Sequence, residues 1–314
     1  MSTPSNSALS PRIALLLLGV IILLWGVNWP IMKTGLEGIG PFSFAASRMI
    51  LGGVAMFIVA ALSGQLKWPH RQDWPIVISV GLIQMAAFIG MATFALQYVP
   101  AGRSSILAYT TPLWVLPISL LLLREPVSRW KAVGFLLGLA GVMVMFNPGS
   151  FDWHDRNVLI GNGTLMFAAL LWAILIVQIR GHQWHGTPLS LAPWQFAIAT
   201  LALLPIALIV EGDRPIAWSG ELWAILLYNG PIATGFCTWG MVTVTRALPA
   251  LTTSLGTLGV PVTGMVASAM VLGEPITGDN LGGLVLIVGG LATLTIAETR
   301  NRGKNRHTTL NDDK

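Results

Sequence analysis

Runs of about 20 apolar residues recur along this whole sequence with only short polar gaps between them. As an α-helix, each run is long enough to cross the roughly 30 Å hydrocarbon core of a bilayer. Only 10% of the residues are charged, whereas soluble domains carry roughly 25%, so a soluble fold is excluded. The sequence therefore predicts an all-α integral membrane protein with ten transmembrane helices, at 12–33, 42–63, 74–97, 103–123, 130–147, 158–179, 190–210, 221–244, 251–272 and 279–298.

The basic residues indicate how these helices are oriented. The formal net charge is +5, but Lys and Arg are spread over the short gaps and the C-terminal tail, where they mark topology. Most of them fall on the side that carries both termini, and the positive-inside rule assigns that side to the cytoplasm. We therefore expect a protein embedded in membrane lipid with both termini cytoplasmic, and no nucleic-acid partner.

The two halves of the chain repeat one pattern at a nearly constant spacing. Pro112 recurs as Pro261 and Glu125 as Glu274, each 149 residues later. Because five helices are an odd number, the second copy must enter the membrane from the opposite face, which gives inverted repeats and favours alternating access around a central site. The predicted units are an N-terminal segment at 1–11, a first five-helix repeat at 12–147, a second at 158–298 and a basic, disordered tail at 299–314.

Several segments resemble the EamA-type branch of the drug/metabolite transporter superfamily. They are Trp25-Gly26-Val27-Asn28-Trp29, Arg48 after Pro41, the helix ends Leu123-Arg124-Glu125-Pro126 and Leu272-Gly273-Glu274-Pro275, and the glycine-rich helices that follow those ends. The resemblance covers nearly the whole chain, and the paired Glu-Pro ends are its most specific part. It implies ten helices in inverted repeats, a bacterial inner (plasma) membrane location, and export of amino acids, other small metabolites or toxic organic compounds. It leaves the substrate open.

One face of the first helix carries candidate binding residues. Trp25, Asn28, Trp29 and Met32 are spaced i, i+3, i+4 and i+7, so they share one side of the helix. Asn28 and Trp29 offer an amide and a stacking surface to a substrate, or else bond and pack against neighbouring helices. Arg48 lies inside the second span, where a charge usually faces a cavity or a partner. It can bind a substrate carboxylate, or reach the interface or the carbonyls of a helix end.

Aromatic and polar residues of later helices extend this candidate site. An apolar pocket with a few polar groups is the usual form of a small-molecule site, although the same residue types also pack helices and anchor them at the interface. Thr234 and Thr238 lie on the eighth helix close to Trp239. The predicted substrate-binding residues are Asn28, Trp29, Arg48, Gln84, Phe88, Tyr109, Trp172 and Trp239.

Glu125 and Glu274 precede prolines at the ends of the fourth and ninth helices, on opposite faces of the membrane. Proline disfavours helix at the residue before it, so we expect both to form helix ends or gates. A role in proton coupling is the alternative. The Gly134-to-Gly138 pattern in the fifth helix is explained either by packing between the repeats or by a homodimer contact.

No cofactor, metal or catalytic group is predicted. All five histidines fall in loops or the tail, and neither an HExxH nor a GxSxG motif occurs, which disfavours an enzyme. No set of like charges repeats within the spans, which disfavours a channel with a charged ring. We therefore predict a secondary transporter that exports a small organic metabolite such as an amino acid through a central cavity. A channel-like facilitator, or an exporter of drugs or organic cations, is the alternative.

Overall fold

The computed structural model describes residues 10–111, 113–115, 117–118, 129–146, 154–180, 182, 184–248, 256–293 and 296. Within these ranges all the regular structure is helical. The helices are α1 Pro11–Gly35, α2 Pro41–Leu62, α3 Trp74–Ala95, α4 Ala101–Ala108, α5 Arg129–Phe146, α6 Arg156–Arg180, α7 Pro188–Glu211, α8 made of three consecutive segments (Gly220–Leu227, Tyr228–Phe236 and Cys237–Ala247), α9 Gly259–Leu272 and α10 Gly278–Thr293.

Five helices of the described part are long and apolar enough to cross a membrane, namely α1, α2, α3, α6 and α7. Their outer sides are apolar as well. Leu62 of α2 and Ile209 of α7, for example, are 85% and 84% exposed. An apolar exterior of this extent is stable in lipid but not in water. The prediction of an all-helical multi-pass membrane protein is confirmed, while the count of ten spans stays a prediction because α5, α9 and α10 are shorter apolar helices.

Prolines and hydroxyl caps explain where several helices begin. Pro11, Pro41 and Pro188 stand at the first position of α1, α2 and α7, where the missing N–H has no intrahelical partner to lose. The side chain of Thr187 accepts a 3.1 Å hydrogen bond from the Ser190 amide at the start of α7. Such caps satisfy backbone donors that a helix leaves unpaired at its N-terminus.

The internal repeat extends to an unusual helix geometry. Residues Val80–Phe88 of α3 and Tyr228–Phe236 of α8 form π-helix, and the two segments begin 148 residues apart. In the second segment the Thr234 hydroxyl donates to the carbonyl of Asn229, five residues earlier. π-Helical turns are rare and concentrate at functional sites. The matching pair therefore indicates that the middle of α3 and of α8 is a candidate functional region.

Glycines allow helices of the two halves to pack closely. A Cβ added at Gly52 of α2 would lie 2.9 Å from the Gly230 carbonyl oxygen of α8. A Cβ at Gly290 of α10 would lie 2.6 Å from the Gly138 backbone nitrogen of α5. Small residues permit such approach in lipid. The α5 glycines therefore pack against α10 within the chain, which is the first of the two explanations that the sequence left open.

Candidate substrate cavity

A cavity lies between the two halves of the chain, with walls from α1, α2, α3, the fourth-helix region, α6 and α8. The space between these walls, its open mouth included, is about 730 Å³. Its lining is aromatic and apolar with a few polar groups. The lining residues are Trp25, Asn28, Trp29, Met32, Arg48, Gln84, Met85, Phe88, Ile89, Ala92, Tyr109, Trp172, Ala233, Thr234 and Thr238.

The structure brings seven of the eight predicted binding residues together at this cavity. They are Asn28, Trp29, Arg48, Gln84, Phe88, Tyr109 and Trp172. Trp239 lies outside the lining, is 36% exposed, and has its ring 6.1 Å from that of Phe236. The reason is helical geometry, because Thr238 presents its side chain to the cavity and the next residue turns by about 100°. A substrate-binding role for the other seven stays a prediction.

The predicted face of α1 forms one wall. Trp25, Asn28, Trp29 and Met32 all line the cavity, as their spacing requires. The indole N–H of Trp25 donates a 2.8 Å hydrogen bond to the Ala233 carbonyl in the π-helical segment of α8. The Oδ1 atom of Asn28 is buried and has no hydrogen-bond partner among the described residues. Asn28, a residue of this wall, therefore carries an amide oxygen that no donor of the described residues satisfies.

Arg48 lies on the α2 wall, 5% exposed. Its Nε and Nη2 atoms donate to the hydroxyl oxygen of Thr234 at 3.0 and 2.6 Å, and its Nη1 atom donates to the Met32 sulfur at 3.0 Å. Arg48 therefore faces neither the interface nor helix-end carbonyls, the alternatives that the sequence allowed. It bridges α2, α8 and α1 at the cavity surface.

Aromatic rings form the remaining walls. The Phe88 and Trp172 rings meet edge to face, with centroids 4.4 Å apart and planes at 67°, an arrangement that aromatic pairs prefer. Sequence reasoning missed four apolar lining residues, Met85, Ile89, Ala92 and Ala233. Apolar residues in an apolar helix carry no signal that separates cavity from lipid, so only the structure could identify them.

Glu274 fastens the end of α9 to α4 and α1. Its carboxylate accepts hydrogen bonds from the Ala101 and Gly102 amides at 2.7 and 2.9 Å. Lys33, at the end of α1, lies 3.6 Å from the same carboxylate and donates to the Val99 carbonyl at 2.9 Å. We call this arrangement the Glu274 clamp. Its position agrees with a helix-end role for Glu274, whereas the corresponding Glu125 lies outside the described residues.

Two further carboxylates make similar clamps that the sequence analysis missed. Glu211, at the end of α7, accepts hydrogen bonds from the Phe42 and Ser43 amides of α2 at 2.9 and 2.8 Å. Asp73, just before α3, accepts from the His185 and Gly186 amides at 3.1 and 2.8 Å. We call these the Glu211 and Asp73 clamps. Each joins the first half of the chain to the second.

The described residues contain no group of three or more His, Cys, Asp or Glu placed to hold a metal ion. Of the described residues that line the cavity, only Arg48 carries a formal charge. The arrangement can bind an organic molecule through one cation, a few hydrogen-bonding groups and aromatic rings.

Comparison with known proteins agrees with this architecture. The uncharacterized transporter YoaV of Bacillus subtilis is 27% identical over 91% of this chain and 98% of its own length. A probable amino-acid metabolite efflux pump of Salmonella typhimurium is 28% identical over 87% of this chain and 91% of its own.

A solved structure described only as a crystal structure of protein has a TM-score of 0.62 at 23% identity, covering 92% of this chain and 97% of that one. That likeness shows a shared fold. The EamA-like transporter family matches twice, over residues 12–147 and 159–296, one match in each half. The chain therefore belongs to the EamA-like transporter family of the drug/metabolite transporter superfamily.

Proposed function

We propose that this protein is a secondary transporter that exports a small organic metabolite, with an amino acid as the first class to test. The carrier works by alternating access. It lies in a bacterial inner membrane, with ten spans in two inverted five-helix repeats, at 12–147 and 158–298, and both termini in the cytoplasm. It requires no cofactor.

The observation that carries the proposal is the position of the cavity between the two halves of the chain. Arg48 of the first half and Thr234 of the second are bonded to each other at its surface. Carriers of inverted-repeat architecture place their substrate site at the repeat interface and move one unit against the other. A site built from both units changes its accessibility when they move.

Two features support an amino acid as substrate. Arg48 is a cation that can take a carboxylate, and the aromatic walls can take an apolar side chain. A related protein of Salmonella typhimurium bears the name of a probable amino-acid metabolite efflux pump. An exporter of drugs or organic cations is the alternative, but a cation would meet the positive charge of Arg48.

A channel-like facilitator is the second alternative. A channel conducts without a conformational change for each molecule, whereas a carrier needs one and therefore saturates and exchanges substrate across the membrane.

We also propose a homodimer. Gly289 offers one place for a second copy of the chain, because a Cβ added there would meet no atom within 4 Å.

Counterflow in proteoliposomes tests the proposal. Vesicles with the purified protein are preloaded with unlabelled amino acids and then receive each labelled amino acid outside at low concentration. A carrier accumulates label transiently, saturably and only when preloaded. Flux that is neither saturable nor dependent on preloading would identify a channel. No exchange of any amino acid by folded, inserted protein would remove the amino-acid class.

A further inference from the structure

Among the described residues, the hydrogen-bond partners of Arg48 supply no counter-charge for its guanidinium. Its partners are the Thr234 hydroxyl and the Met32 sulfur, and neither is ionised. In the described part of the chain, no Asp or Glu lines the cavity. A buried charge without an opposite partner is costly in a protein interior, so this site gains most from a ligand that brings a negative charge.

Thr234 orients the guanidinium and is itself fully used. Its hydroxyl donates to the Asn229 carbonyl at 2.7 Å, so its lone pairs receive both Arg48 bonds. A guanidinium has five N–H donors in a flat fork, and the contacts above use three of them. The remaining donors belong to a side chain that lines the cavity, and two parallel N–H groups are the usual partner of a carboxylate.

Asn28 supplies the complementary acceptor close by. Its side chain is 5% exposed, and its Oδ1 atom has no hydrogen-bond partner among the described residues. It lies one helical turn before Met32, whose sulfur contacts the guanidinium, and such neighbours are about 5–6 Å apart at Cβ. A buried amide oxygen without a donor is unfavourable, and an ammonium group supplies donors.

We infer that this cavity recognises both ends of a zwitterion, with a carboxylate on Arg48 and a protonated amine on Asn28. The inference rests on the proposed function and narrows it. The carboxylate is obligatory because it neutralises Arg48, while the amine strengthens binding through Asn28. The aromatic walls take the apolar remainder. The transporter then accepts amino acids and excludes amines that lack the carboxylate, including organic cations.

Matched compounds test this in the same proteoliposomes. Leucine, isoamylamine and isocaproate share one side chain, as do phenylalanine, phenethylamine and 3-phenylpropionate. We expect counterflow of at least one of the two amino acids, weaker competition by its deaminated acid and none by its amine. Exchange of an amine as fast as its amino acid would overturn the inference and leave a carrier. No exchange of any of the six by folded protein would count against the proposed function as well.

Two substitutions change the charge of the site and keep the size of the side chain similar. Arg48→Gln should raise the half-saturating concentration of the amino acid about 10- to 100-fold, the effect of losing charge-assisted hydrogen bonds. Asn28→Asp places a carboxylate one helical turn before Met32, whose sulfur contacts the guanidinium, and we expect it to neutralise the guanidinium within the protein. That variant should bind the amino acid more weakly, to a similar extent, and should transport the matched amine.

Controls keep these results interpretable. Arg71→Gln removes an exposed arginine outside the helices and should leave counterflow unchanged. Insertion and melting temperature in detergent are measured for every variant. If Arg48→Gln does not fold, Asn28→Asp still decides, because an unchanged preference for the amino acid over its amine in that variant would overturn the inference.

Discussion

At the scale of single residues, Asp73 shows how a buried carboxylate stabilises this fold. Its side chain is inaccessible, and the His182 ring lies 3.1 Å from it in addition to the two amides of the clamp. Burial raises the pKa of Asp73, but the hydrogen bonds from the His185 amide, the His182 ring and the Gly186 amide outweigh burial. The net effect places the pKa below its ordinary value.

Asp73→Asn is therefore expected to lower stability by about 1.5–3 kcal/mol at neutral pH, the usual effect of losing a hydrogen bond to a charged group. A carboxylate whose pKa is lowered by folding stabilises the folded state at pH values above its unfolded pKa of roughly 3.9. This stabilisation is lost as the pH falls through the pKa of the folded state. The gap in melting temperature between wild type and variant should thus narrow below about pH 4.

Thermal unfolding in detergent between acid and neutral pH measures that gap. Asp213→Asn, which changes an exposed aspartate in the loop after α7, is the matched control and should melt like the wild type. A gap that stays constant down to the lowest pH would contradict the clamp as the source of the stability.

At the scale of helices, the bilayer explains what the sequence could predict. Its thickness fixes the length of a spanning helix, so the apolar runs locate α1 and α2 within a few residues. Periodicity also places Trp25 and Asn28 on one face. The clamps could not be predicted, because Glu211 and its partner Phe42 are 169 residues apart in sequence, and a helix-end carboxylate resembles any loop charge. The π-helical segments were not predicted either, and a bond from Trp25 of another helix ends on the Ala233 carbonyl within the second of them.

Two adjacent glycines of α10 provide a test of helix packing. A Cβ at Gly290 would lie 2.6 Å from both the Gly134 carbonyl oxygen and the Gly138 nitrogen, whereas a Cβ at Gly289 would meet no atom within 4 Å. Gly290→Val should therefore destabilise the protein by about 1–3 kcal/mol through overpacking. Gly289→Val introduces the same side chain on the same helix turn and should change the monomer little.

Melting temperature and the yield of folded protein in detergent compare the two valine variants. Equal loss in both would mean that the contact between α5 and α10 does not set the cost of the substitution. A loss confined to Gly289→Val would instead point to a second copy of the chain at that exposed face.

At the scale of the whole molecule, the three clamps hold some helices of the bundle together more firmly than others. The Glu211 clamp joins α2 and α7 at one end, and the Asp73 clamp joins the loops at their other end. One carboxylate clamp, that of Glu274, fastens α9 to α4. The Ser105 hydroxyl of α4, which donates to the Gly102 carbonyl at 2.7 Å, adds a longer contact of 3.5 Å to the Pro261 carbonyl of α9. The pair α2–α7 is thus held at both ends. We expect it to stay fixed during transport, while the Glu274 end opens and closes.

Glu274→Gln and Glu211→Gln are therefore expected to differ, although each removes one charge from two backbone amides. With a Gln84→Cys reporter in a Cys237→Ser background, Glu274→Gln should speed labelling by an impermeant maleimide added outside spheroplasts, because the outer end of the cavity opens more often. Glu211→Gln should leave the labelling rate near that of the parent and lower the melting temperature instead, since it weakens the fixed pair. Faster labelling in Glu211→Gln, or an unchanged rate in Glu274→Gln, would contradict this assignment of fixed and moving parts.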